Sequence, residues 1–168
     1  VIDKGLIEAI LDGYALPPMG IHGLPHWGRV LEFARRLAQT TGANDKVLEM
    51  FAIFHDARRV NDQRDPGHGS RGVALATKLR TRYIDLTDHE FGLLTYACEC
   101  HTDGLREGDV TVQTCWDADR LDLWRVGFDP RPDLLCTEAA RDTSIMDWTR
   151  KLSLSDHVPD WVANIRPG

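Results

Sequence analysis

Cysteine is scarce in this 168-residue chain: Cys98, Cys100, Cys115 and Cys136 are all there is, and no two form a CxxC pair. That spacing speaks against a disulfide framework or a zinc ribbon and leaves four reduced thiols with packing roles. Long apolar runs are missing as well, none approaching the roughly 20 residues a membrane span needs. The first residues, VIDKGLIEAILDG, lack the basic patch, apolar stretch and small-residue cleavage site of a secretion signal, so a cytoplasmic protein without a membrane partner is expected. Positive charge is in deficit, with Lys+Arg 20 against Asp+Glu 26 and a net charge of -6. A surface of that sign is a poor coat for a nucleic-acid polymer but leaves a small nucleotide or metabolite open as a ligand. Lysine is reduced to Lys4, Lys46, Lys78 and Lys151 while arginine recurs. Arginine suits bidentate anion contacts, although a GC-rich genome produces the same bias.

Alternating apolar and polar runs, the mark of strands, are hard to find, and apolar residues recur at helical spacing in nearly every segment. The chain reads as all-α, one domain over residues 1–168 with no repeat, low-complexity stretch or linker. A first helix is expected over Asp3 to Gly13 and a second over Leu24 to Thr40, stopped by Gly42. The second helix sets His26 one turn before Val30. A third starts from an Asn44 or Asp45 cap and runs through VLEMFAIFHDARR, where Leu48, Phe51, Ala52 and His55 fall on one stripe. The polar loop NDQRDPGHGS should lead to a helix from Arg71 to Arg82. Thr87 or Asp88 would cap the next, with Phe91, Leu94, Ala97 and His101 on one face. Asp109 to Val126 is a further helix, although TVQTCW also passes as a short strand. Pro130 and Pro132 interrupt the pattern, and from Asp133 onward a weak helix mixes with irregular chain ending in WVANIRPG.

The residues with chemistry cluster in this framework. His26, the His55-Asp56 doublet and the Asp117-Ala118-Asp119 group supply imidazole and carboxylate donors from three helices, a set suited to a divalent transition metal. Neighbouring helical residues point about 100° apart, so His55 and Asp56 share one ion only if it sits between their directions. The ordinary alternative is a hydrogen-bonded core histidine beside a chance HD dipeptide. His89 and His157 join no constellation and read as surface residues, while Trp27, Trp116 and Trp124 sit at helical spacing and read as core.

The order His26, His55-Asp56, Asp119 resembles the HD-domain superfamily of metal-dependent phosphohydrolases. HWGRVLEFARRLA is similar to that family's first helix, FAIFHDARR to its second and DADRLDLWRVG to its last motif, a span from Ile21 to Gly127 that leaves residues 128–168 as an extension. The resemblance implies an all-helical HD-like bundle in which these four residues bind a divalent metal, with Asp119 the ligand within DADRLD. Asp117 would then be a supporting or capping carboxylate, and Asp122 a further candidate. Arg58 stands where a His-Asp-x-Gly version of the motif has glycine. His68 and His101 resemble the two extra histidines of family members that hold two metals bridged by the doublet's aspartate, here Asp56. A single-metal centre with His68 a solvated loop residue stays open beside this.

From the resemblance follows a phosphohydrolase acting on a small phosphorylated substrate, an ester or a nucleotide, with one or two divalent ions (Mn, Fe, Co, Ni, Zn or Mg) and a metal-activated water. Asp56 would take the proton of that water. Arg59 matches the basic residue that often follows the doublet and would bind phosphate, with Arg71 second; Arg58 and Arg64 read as a solvated basic loop. His22, four residues before His26, would line the substrate mouth or protonate the leaving oxygen, or be a loop histidine without a role. Two other functions share the ligand order: a mixed-valence diiron oxygenase and a non-catalytic ligand-binding module. Oligomeric state is open.

Overall fold

The computed structural model describes residues 2–165; Val1 and the last three residues of the WVANIRPG tail lie outside them. Helix α1 (Lys4–Leu11) is capped by Asp3, whose carboxylate accepts from Leu6 N at 2.8 Å. Helix α2 (Leu24–Thr41) begins with proline in its first turn and ends at Gly42, which takes the left-handed conformation, φ 71°. Asn44 caps α3 (Asp45–Phe54) by accepting from the amides of Lys46 and Val47. Helix α4 spans His68–Tyr83 and α5 Asp88–Cys100, the latter opened by a reciprocal Thr87–Glu90 capping box. Asp109 caps α6 (Val110–Leu121), and a 3₁₀ turn follows at Leu123–Val126. A second 3₁₀ turn at Pro132–Leu134, the four-residue α7 (Glu138–Arg141), the twelve-residue α8 (Thr143–Leu154) and the four-residue α9 (Asp160–Ala163) complete the order.

No strand is present among the described residues, and TVQTCW lies within α6. Helices α3 and α6 pack on each other and each on both α2 and α5, α4 lies against α5 and α3, and α7 to α9 close over α2 and α6. Their shared core is aromatic and aliphatic: Trp27, Phe33, Phe51, Phe54 and Trp116 are all fully buried. Trp116 also donates its indole N–H to Ala97 O at 3.0 Å, which ties α6 to α5. Trp124 is only partly buried. Among the described residues no helix is long and apolar enough to cross a membrane.

Helices α1 and α6 end earlier than expected, the latter giving way to the 3₁₀ turn, and two other boundaries that differ from expectation move chemistry. Helix α3 stops at Phe54 instead of running through the doublet, so His55 is its C-cap and Asp56 lies in the turn beyond. Helix α4 begins at His68, three residues before Arg71, because Gly67 turns the chain at φ 83° and ends the loop there. The start of α4 is then pressed against its neighbours. A Cβ on Gly69 would come within 2.2 Å of Cys98 O, and one on Gly72 within 2.3 Å of Phe54 O. Only glycine allows this approach, which carries His68 to the ends of α3 and α5. The tail differs too: α8 is a regular twelve-residue amphipathic helix, capped by Asp142, which accepts from the amides of Ser144 and Ile145, and packed on α6 and the 3₁₀ turn.

Candidate metal centre

Six side chains from five elements meet at one end of the bundle. His26 comes from the first turn of α2, His55 from the C-cap of α3, Asp56 from the next turn, His68 from the start of α4, His101 from the C-cap of α5 and Asp119 from the last turn of α6. All four histidines are at most 5% exposed and Asp56 is 3% exposed. The Asp119 side chain is 19% exposed, which makes it the donor nearest solvent.

Helix-end geometry fixes the tautomers. The last carbonyls of a helix have no intrahelical partner, and a C-cap histidine can fold back onto them. His55 Nδ1 lies 3.1 Å from both Phe51 O and Ala52 O, and His101 Nδ1 lies 2.6 Å from Cys98 O. His68 Nδ1 lies 2.6 Å from Asp65 O in the turn before α4, and His26 Nδ1 lies 2.7 Å from Asp122 Oδ2. Each partner is an oxygen that only accepts, so each Nδ1 carries the hydrogen and each neutral ring directs the Nε2 lone pair inward.

The inward nitrogens come in pairs. His26 Nε2 and His55 Nε2 are 3.0 Å apart, and His68 Nε2 and His101 Nε2 are 2.8 Å apart. Facing lone pairs at that distance repel unless a proton or a metal cation lies between them. Asp56 spans both pairs. Its Oδ2 is 3.7 Å from His26 Nε2 and 3.8 Å from His55 Nε2, while Oδ1 is 3.2 Å from His68 Nε2 and 3.7 Å from His101 Nε2. Asp119 Oδ1 completes the first group at 3.4 Å from His26 Nε2 and 3.7 Å from His55 Nε2. Ligands held about 2.1 Å from one ion are spaced about 3.0 Å apart in cis-octahedral and about 3.4 Å in tetrahedral geometry. The donor set could therefore hold a divalent ion in two places, one among His26, His55 and Asp56 with Asp119 Oδ1 beside the two imidazoles, and one among Asp56, His68 and His101.

The electrostatics agree with that reading. Burial pushes the His55 imidazole down to about 3, which keeps it neutral and ready to ligate. Burial works against the Asp56 carboxylate, but the surrounding histidines outweigh it and hold the group well below the usual range. Asp119 is held low in the same way against its own burial, chiefly by His26. His101 runs upward despite burial because it faces Asp56.

Arginines border the donors. Arg59 Nη1 is 3.2 Å from His68 Nε2 and 3.5 Å from Asp56 Oδ1, and the guanidinium is steadied by the carbonyls of Asn61 and Gln63. Arg125, which the sequence reading passed over, places Nη2 at 3.3 Å from His26 Nε2 and 3.4 Å from His22 Nδ1 while its Nε donates to Ile21 O. Its only signal was its place in the LWRVG run, one turn after Asp122. His22 lies in the loop before α2 yet is 8% exposed, with Nδ1 3.0 Å from Asp56 Oδ2 and Nε2 3.3 Å from Asp62 O.

Three residues stand elsewhere. Arg71 does not reach the centre, because its guanidinium pairs with both oxygens of Asp65 at 2.6 and 2.7 Å and donates to Arg58 O. Arg58 is not a free loop cation: it donates to Ile10 O, Asp12 O and Ala57 O, tying the doublet turn to the end of α1. Asp117 points away from the donors and accepts from Cys136 N, Thr137 N and Thr137 Oγ1 at 2.6 to 2.8 Å, which anchors the extension. Asp122 is the supporting carboxylate of His26 and is wholly buried. A cavity of about 590 Å³ opens beside His68 and Arg59, lined otherwise by polar side chains such as Gln63, Arg64, Ser70 and Thr102 and by the carboxylates of Asp65, Glu99 and Asp103. Neither a family model nor a curated protein nor a solved structure matches the chain.

Proposed function

We propose that this chain is a metal-dependent phosphohydrolase of the HD type, acting on a small phosphate ester. One observation carries the reading: Asp56 stands between two pairs of histidines, each pair turned lone pair to lone pair at 3.0 and 2.8 Å. The first ion would be held by His26, His55, Asp56 and Asp119, and the second by Asp56, His68 and His101. When bound, such ions supply a nucleophile at neutral pH and polarise a phosphoryl oxygen.

The chain's own groups divide the remaining work. Arg59 and Arg125 offer guanidinium hydrogens on opposite sides of the donor cluster and neutralise the phosphate. His22 holds its Nδ1 hydrogen beside Asp56 Oδ2 and is the group that hands a proton to the leaving oxygen. Asp56 is a poor proton acceptor, since both its oxygens face ligand nitrogens and its carboxyl is held low. Its expected role as base therefore gives way to one as ligand and bridge. The cavity beside His68 and Arg59 is lined by polar side chains of both charge signs, which suits a compact polar substrate.

The test is protein purified without chelator, analysed for metal and screened against phosphate esters with Mn²⁺, Co²⁺, Ni²⁺, Mg²⁺ and Fe²⁺. Phosphate release that disappears in His55→Ala supports the proposal. Two irons with O₂ consumption and no phosphate release would replace it with the oxygenase, and metal binding without turnover of any kind with a ligand-binding module.

A further inference from the structure

The extension reaches the support of the first metal group from behind. Asp122, the C-cap of α6, accepts from His26 Nδ1 on Oδ2 and is gripped by Arg29 through Nε at 2.8 Å and Nη2 at 3.0 Å. Two further contacts to this unit come from residues well beyond the HD-like motifs. Ser153, on the last turn of α8 and 1% exposed, donates its hydroxyl to Asp122 Oδ1 at 2.5 Å. His157 O accepts from Arg29 Nη1 at 3.0 Å. The chain turns at Asp156, a non-glycine residue at φ 51°, and His157 N closes the end of α8 onto Leu152 O at 3.1 Å. An aspartate in the left-handed conformation is held there by its surroundings, and here the turn it makes presents the His157 carbonyl to Arg29.

We infer that the segment Ser153–His157 is a positioning element for the first metal site, acting through Asp122 on the orientation and basicity of His26. Four donors, His26 Nδ1, Arg29 Nε, Arg29 Nη2 and Ser153 Oγ, converge on the Asp122 carboxylate, so the carboxylate has one orientation and His26 Nδ1 one acceptor. Supporting partners of this kind change metal affinity by about 10- to 100-fold when lost. The second group has nothing comparable, since His68 and His101 rest on backbone carbonyls. The inference rests on the metal-centre reading above and predicts an effect confined to one of its two sites.

The experiment uses Mn²⁺ alone as the probe, titrated calorimetrically into metal-free protein in two backgrounds. His101→Ala leaves the first site and His26→Ala the second. Adding Ser153→Ala should weaken Mn²⁺ binding about 10-fold or more in the first background and leave the second unchanged. Alanine is the better helix former, so α8 should be retained, as circular dichroism will show. If Ser153→Ala does not fold, Arg29→Lys carries the same test, because it keeps the charge and loses the fork. Equal affinities with and without the change, or parallel losses in both backgrounds alongside a lower Tm, would overturn the positioning role. Absence of Mn²⁺ binding by the unsubstituted protein would instead overturn the metal-centre reading itself.

Discussion

The two halves of the centre share Asp56 but are built differently. The first half has three further donors on α2, α3 and α6, two carboxylates in all, and Asp122 behind His26. The second half has two histidines beside the shared carboxylate, backbone carbonyls behind both, and the Arg59 guanidinium 3.2 Å from one ligand atom. Two carboxylates neutralise a divalent cation better than one, and a neighbouring guanidinium opposes a second cation. On the proposed two-ion reading, Asp56 would bridge two unequal sites: the first should fill at lower metal concentration, and the second should be the one that exchanges and meets substrate.

Breaking the bridge gives the largest effect. Asp56→Ala should remove the second ion, whose site keeps only two donors, weaken the first, which keeps three, and lower kcat/KM by about 10³-fold or more, measured by elemental analysis and phosphate release. Next come the two halves singly: His101→Ala should leave about one ion and His26→Ala should remove the tighter one, so that only the weaker binding phase remains in titrations. Asp122→Asn keeps the shape of the support but not its charge, and should weaken the first site by about 10- to 100-fold with the second site intact.

Stability against pH sharpens the contrast further, in protein kept metal-free with chelator. His55 has a folded pKa of about 3 against about 6.5 when unfolded, so from about pH 6.5 down to about 3 the unfolded chain binds the extra proton and stability falls as pH falls. Asp122, lowered to about 2, adds a second loss below about pH 4. The raised His101 works in the opposite sense and offsets part of the first loss. Thermal melts should thus decline from about pH 6.5, before ordinary carboxylates titrate, and His55→Ala should remove that early decline.

The smallest effects separate two arginines. Arg59→Ala should raise KM for a phosphate ester by about 10-fold with metal content unchanged, the loss expected for one charge-assisted hydrogen bond. Arg71→Ala should leave kcat/KM alone and cost about 1 to 2 kcal/mol of stability, because its partner Asp65 is buried and also accepts from Val60 N.

Helical spacing and caps made most of the bundle legible, since Gly42, Asn44, Thr87 and Asp109 are local signals that the chain obeys locally. The donors were legible as a set because His26, the doublet and Asp119 sit in recognisable surroundings. Less visible was what depends on long-range approach. In the sequence His68 is open between a second-metal ligand and a solvated loop histidine, and the close packing of Gly69 and Gly72 is what brings it in; Arg71, expected at phosphate, instead pairs with Asp65 because of where that helix begins. Arg125 and Asp122 work through partners about a hundred residues away, and no spacing within the motif announces such contacts.

The most direct measurement is anomalous diffraction from crystals of the protein loaded with Mn²⁺. The account predicts two peaks on either side of Asp56, one among His26 Nε2, His55 Nε2 and Asp119 Oδ1 and a weaker one between His68 Nε2 and His101 Nε2. A peak held by Asp117 in place of Asp119, or no peak at the histidine pairs, would contradict it.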